Sequence, residues 1–129
     1  VSTMNNNIDI EIKKLEDIAV VVFNTASISD AAGIGKVSAQ IKQFVADNRP
    51  KKMVIDFVHV KFFTSQALGL LLDIWRKLQE NSGEVVISGI NPQLHRVFKI
   101  TNLDKIFRFF PDEQTALKAF DSNTQTREG

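Results

Sequence analysis

Cysteine is absent from all 129 residues, which excludes a disulfide framework, a thiolate metal site and a cysteine nucleophile together. A chain without thiols suits a reducing compartment. Excess charge of one sign is missing too. Sixteen basic and fifteen acidic residues leave a net charge of +1, so no broad electrostatic footprint for nucleic acid or acidic lipid is expected. The basic cluster "NRPKK", residues 48–52, reads as a solvated turn before a strand. No apolar run reaches the roughly 18 residues needed to cross a bilayer, and "VSTMNNN" at the start has no signal-peptide core. The expectation is a soluble cytoplasmic protein. Residues 1–3 precede Met4 and read as a remnant outside the domain.

Catalytic signatures are equally scarce. The two histidines, His59 and His95, have no acidic or histidine partner at metal-ligand spacing. "GIGK", residues 33–36, has the look of a phosphate loop, but that motif needs glycine where Asp30 stands and Ser or Thr where Val37 stands. No catalytic residue, metal or cofactor is therefore expected.

What is present is a core. With 43% hydrophobic residues, the chain can bury one domain, expected over residues 4–120, with a frayed tail at 121–129 where no apolar residue anchors it. Ile8, Ile10 and Ile12 alternate with polar neighbours, the period of a half-buried strand. "IAVVVF", residues 18–23, suits a strand covered on both faces, paired to the first through a hairpin at Glu16 and Asp17. Ile34, Val37, Ile41, Phe44 and Val45 follow at helical spacing and stop at "DNRP".

"MVIDF", residues 53–57, is a further buried strand, and a helix over residues 65–81 carries Leu68, Leu71, Leu72, Trp75 and Leu78, ending at Gly83 in a left-handed cap. "EVVIS" is a strand, and Asn91 caps a helix with Pro92 in its first turn. "KIFRFF" is a last strand, and a helix bearing Ala116, Leu117 and Phe120 closes the chain. Strands alternating with helices imply an α/β domain with a mixed, mostly parallel sheet of about five strands and about four helices.

Binding in such sheets tends to lie where strands hand over to helices at their carboxyl ends. "FTSQA", residues 63–67, occupies that place. Asp56, inside an apolar strand, needs hydrogen bonds, and ordering the following loop through backbone N–H groups would supply them. A general-base role has no partner in the sequence. On the next helix Asp73, Arg76, Lys77 and Glu80 define a polar face, with Asp73 and Lys77 spaced as an i,i+4 pair. The same stripe continues back through Gly69 to Gln66 and Ser65, so the Ser65 hydroxyl should be accessible.

Gly69 on an exposed stripe has two readings, tight packing against a loop or close approach of a partner's backbone. Thr64 or Ser65 could simply cap the helix. A phosphate on Ser65 would also be tolerated at a helix N-terminus while altering an interface.

From residue 53 onward, "MVIDFVHVKFFTSQALGLLLDIWRKL" and "VVISGINPQLHRVFKITNLDKIF" resemble the STAS domain of bacterial anti-sigma factor antagonists, and the likeness spans about residues 8–120. Members of that family read Asp-Ser-Ser/Ala-Gly-Leu-Gly at the helix start. Here Leu68 and Gly69 align with Leu-Gly and place Ser65 on the phosphorylated serine, while Thr64, Gln66 and Ala67 replace the acidic, small and glycine positions.

The resemblance implies a STAS-like single domain and a non-enzymatic, phosphorylation-switched module. Unphosphorylated, it would sequester an anti-sigma factor serine kinase; a metal-dependent serine/threonine phosphatase would reset it. Ser65, with Thr64 as the alternative, is the implied modification site, and Phe63, Thr64, Ser65, Gln66, Gly69 and Asp73 the implied partner surface. A scaffold subunit of a stressosome-like assembly, or a small-ligand or nucleotide-binding STAS domain, are the other expectations.

Overall fold

The computed structural model describes residues 8–128, with side chains as far as Phe120; the remnant expected at residues 1–3 lies outside the described residues. Strand β1 (Ile10–Leu15) turns through Glu16 and Asp17 into β2 (Ile18–Phe23), antiparallel, with Leu15 opposite Ile18. Glu16 has φ +58°, the positive value that a two-residue hairpin loop requires. A two-residue strand, β3 (Ser27–Ile28), leads into α1 (Ala31–Asn48), where the Asp30 carboxylate accepts from the Gly33 N–H at 2.6 Å and caps the helix.

Next come β4 (Lys52–Asp56), a second two-residue strand β5 (Phe62–Phe63), α2 (Ser65–Gln79), β6 (Glu84–Ser88) and α3 (Pro92–Ile100). Asn91 caps α3 as expected, accepting from the Leu94 N–H at 2.9 Å. After a 3-10 turn (Leu103–Lys105) the chain finishes with β7 (Arg108–Phe110) and α4 (Glu113–Glu128).

The main sheet has the order β1-β2-β4-β6-β7, parallel except for β1. This is the α/β architecture anticipated, with five strands in a mixed sheet and four helices among the described residues. One face of the sheet, carrying Val21, Phe23, Met53, Ile55, Val85 and Ile87, is buried in one cluster with apolar side chains of α1, α2 and α3. The opposite face, with Val20, Val22, Val54 and Val86, packs on Ala116 and Phe120 of α4. Helices on both faces explain why β2 is apolar throughout and β4 and β6 are apolar at their three central positions.

Several boundaries differ from expectation, each for a local reason. The last strand is three residues long, because Asn102 (φ +64°) and the 3-10 turn reorient the chain before it. Helix α4 runs on through the stretch from Asp121 that was expected to fray, where no proline or glycine interrupts the backbone ladder before Gly129.

The end of α2 corrects a third reading. Ser82, not Gly83, takes the left-handed conformation (φ +60°). Its N–H donates to Gln79 O at 3.0 Å, and the Gly83 N–H donates to Leu78 O at 2.7 Å, the paired bonds of a Schellman cap. Gly83 is needed for space. A Cβ there would lie 2.7 Å from Leu78 Cδ1, 3.1 Å from Leu78 O and 3.2 Å from Lys51 O. Gly83→Ala is therefore expected to lower stability by about 1–3 kcal/mol, and Ser82→Gly to raise it by about 1 kcal/mol through relief of the left-handed backbone. Urea unfolding midpoints at constant slope check both.

Candidate functional site

The loop between β4 and α2 is anchored at both ends in the core. Phe57 is 1% exposed and Phe63 6%, with ring centroids 5.9 Å apart, so the intervening residues arch outward. Val60 turns back inward, its N–H donating to Phe57 O at 2.9 Å. Val58 and Phe62 stay 56% and 54% exposed.

Asp56 sets the start of that arch. The carboxylate is buried, and its Oδ1 accepts from the Val58 N–H at 3.1 Å, which is the loop-ordering role read from the sequence. Gly89, with φ +68°, passes so close that a Cβ would lie 2.8 Å from Asp56 Oδ1. Burial pushes the carboxyl above its ordinary pKa. The Val58 N–H opposes that shift, Glu113 adds to it, and the Ser88 hydroxyl and His59 weakly counter it.

A two-rung parallel ladder, Ser27 with Phe62 and Ile28 with Phe63, ties the loop to the chain entering α1. Lys61 and Phe62 N–H groups both donate to Ala26 O, at 2.7 and 3.1 Å, and the Thr64 N–H to Ile28 O at 3.1 Å. Thr64 has the extended backbone of an N-cap residue (φ −94°, ψ 172°), yet its hydroxyl makes no cap bond; Oγ1 is buried without a hydrogen-bond partner. The capping bond considered for Thr64 is thus absent, and its hydroxyl oxygen is buried.

Ser65 is exposed. Gln66 and Gly69 are exposed behind it and Asp73 is half-exposed, so the stripe lies as its spacing indicated. Within the stripe Asp73 pairs with Arg76 at 3.2 Å, and Lys77 with Glu80 at 3.3 Å, in place of the Asp73–Lys77 pair expected. A Cβ on Gly69 would meet nothing within 4 Å, which removes the tight-packing explanation for that glycine.

Phe63, expected at a partner surface, is instead a core residue, its ring also 5.9 Å from that of Phe98. The aromatic that reaches solvent is its neighbour Phe62. Val58 and Phe62 were missed; the signal available was two large apolar residues in a segment too short to be a core strand. Among the described residues no group of three His, Cys, Asp or Glu side chains could hold a metal. His59 is exposed, and His95 stacks on Phe109 with centroids 4.3 Å apart. The arrangement presents an accessible hydroxyl at the start of α2, after a loop whose Val58 and Phe62 are exposed.

The raised carboxyl makes stability depend on pH in a defined sense. The folded state holds the Asp56 proton more tightly than the unfolded chain, so its contribution is favourable below the ordinary carboxylate pKa and is lost as pH rises through the raised folded value. Stability attributable to Asp56 should therefore fall with rising pH across the window just above the ordinary value. Asp56→Asn should flatten that slope while keeping the acceptor for Val58, as read by urea midpoints between pH 4 and 8.

Comparison with known proteins identifies the family and the fold. The sequence model of the STAS domain family matches residues 9–116. An anti-sigma-B factor antagonist of Listeria monocytogenes is 30% identical over 105 residues, covering 78% of this chain and 86% of that protein. The crystal structure of an anti-sigma factor antagonist from Mycobacterium paratuberculosis superposes with a TM-score of 0.75 at 28% identity, over 88% of this chain and 93% of that one. A STAS domain protein from Planctomyces limnophilus shares the fold with a TM-score of 0.76 at 22% identity, over 87% and 97% of the two chains. With its five-stranded mixed sheet, four helices and a family match over most of its length, this chain belongs to the STAS domain family.

Proposed function

We propose that this chain is an anti-sigma factor antagonist, a non-catalytic binding module whose affinity is switched by phosphorylation of Ser65. The observation that carries the reading is the contrast between two adjacent hydroxyls: Ser65 is exposed at the start of α2, and Thr64 Oγ1 is buried. The names of the relatives supply the partner class, an anti-sigma factor; that this factor is a serine kinase is part of the proposal.

In the switching step the Ser65 oxygen attacks the γ-phosphorus of ATP held by the kinase. The bond to the β,γ-bridging oxygen breaks, ADP leaves, and the hydroxyl proton passes to the kinase or to solvent. The product carries about −1.5 to −2 charges. Helix α2 has no acidic residue in its first turn and its positive dipole end faces the phosphate, so the fold accepts the modification. A partner seated over Val58 and Phe62 would have to bury that charge against an apolar rim, and binding weakens by desolvation and repulsion. A metal-dependent phosphatase returns the module to its binding form. No helix among the described residues is long and apolar enough to cross a membrane.

Incubation with the cognate kinase and ATP should place a single phosphate on Ser65, located by mass spectrometry of the digested protein. Ser65→Ala should remain unmodified and bind, and Ser65→Asp should bind at least about tenfold more weakly. Phe62→Ala should lose affinity with little change in melting temperature, as befits an exposed anchor. Phosphate on another residue, together with full binding by Ser65→Asp, would sink the proposal.

A further inference from the structure

A groove of about 550 Å³ runs between α1 and α2, where Gly35, Ser38 and Lys42 face Gly69, Asp73 and Arg76. Its lining extends from residue 31 to 42 on α1 and from 66 to 76 on α2, about 15 Å along the helix axes at 1.5 Å per residue. Three independent features distinguish this trough from an ordinary seam between helices.

The first is the pair of glycines. Both lie inside helices, where glycine weakens the helix relative to alanine, and a Cβ on either would meet nothing within 4 Å. The fold does not require them. What their absent side chains provide is room for another backbone to approach between the two helices.

The second is Ser38. It is 9% exposed, one of three buried polar residues in the described domain, and its side chain lines the groove without a hydrogen bond to another described residue. Its oxygen opens onto the groove, where it can bond a polar group of an occupant.

The third is charge. Asp73 is paired with Arg76 at 3.2 Å, whereas Lys42 on the opposite wall makes no ion pair with a described residue. One uncompensated cation remains on the rim.

We infer that this groove receives a helical segment of the anti-sigma factor, with small side chains toward Gly35 and Gly69 and a carboxylate toward Lys42. An open, elongated trough with an apolar base at Ile34 and Leu70 fits a helix laid along it, where a small molecule would need enclosure. The occupant follows from continuity: Gln66 and Gly69 belong both to the stripe leading from Ser65 and to the groove wall, so a partner centred on Ser65 extends into it. The inference rests on the proposed function and adds a second contact region on α1, away from the phosphorylated serine.

The test uses the full chain and the purified full-length anti-sigma kinase of the same genome in titration calorimetry. Gly35→Leu fills the groove from α1 and should melt at or above the wild-type temperature, leucine being the better helix former, yet bind at least about tenfold more weakly. Gly35→Ala is a milder second variant, expected to weaken binding less in the same direction. Lys42→Glu should lower affinity and reduce its salt dependence.

Undiminished binding by both Gly35 variants overturns the groove while leaving the Ser65 reading intact. A wild-type chain that binds no anti-sigma kinase of its genome removes both readings. A wild-type dimer dispersed by Gly35→Leu assigns the groove to a second copy and overturns the occupant inferred here.

Discussion

Phe57 and Phe63 enter one core from the two ends of a five-residue arch, and the position of the candidate surface depends on that constraint. Phe57 meets Phe23 edge-on at 5.4 Å, Phe63 meets Phe98 at 5.9 Å, and Phe98 continues the series to Phe107 at 6.1 Å. Pairs of this geometry contribute about 0.5–1.5 kcal/mol each beyond the area they bury. With both ends held, residues 58–62 bow outward with Val60 alone turned back to the core, and Thr64 arrives at α2 with its backbone already extended. The direction in which α2 leaves the sheet, and hence the face that bears Ser65, follows from aromatic packing beneath it.

Polar groups refine this frame at a cost. Asp56 ends an apolar strand because a carboxylate oxygen is the acceptor that the Val58 N–H needs at the first bend. Its neighbours leave no alternative route for the chain: the Phe57 N–H donates to Ser88 O at 2.9 Å, and Gly89 fits only because it lacks a Cβ. By contrast the ion pairs on the outer face of α2 are largely solvated and contribute little to stability. That face is free to be shaped by what it meets.

The periodic parts of the chain were legible in the sequence. Alternating isoleucines gave β1, continuous β-branched runs gave the central strands, and Leu and Ile at helical spacing gave α1 and α2, since burial on one or two faces leaves a regular trace. What escaped was decided by parity between adjacent, similar residues. Phe62 and Phe63 are identical in type, and only the inward side of a two-residue strand sends Phe63 to the core and Phe62 to solvent. At Thr64 the burial of the hydroxyl escaped, whereas the exposure of Ser65 followed from the helical stripe, and at Ser82 and Gly83 spatial crowding and not backbone freedom chose the glycine. Strands β3 and β5 are too short to carry any period, so no sequence pattern could announce them.

That small ladder has a consequence for the proposed switch. Because β3 and β5 each run directly into a helix, their two rungs fix the starts of α1 and α2 against one another. The surface a partner meets is therefore set before the encounter, and little conformational entropy is lost on this side when a complex forms. Ordering costs fall on the partner, and the proposed switch would act through what is chemically attached to the platform, without needing a change in its shape.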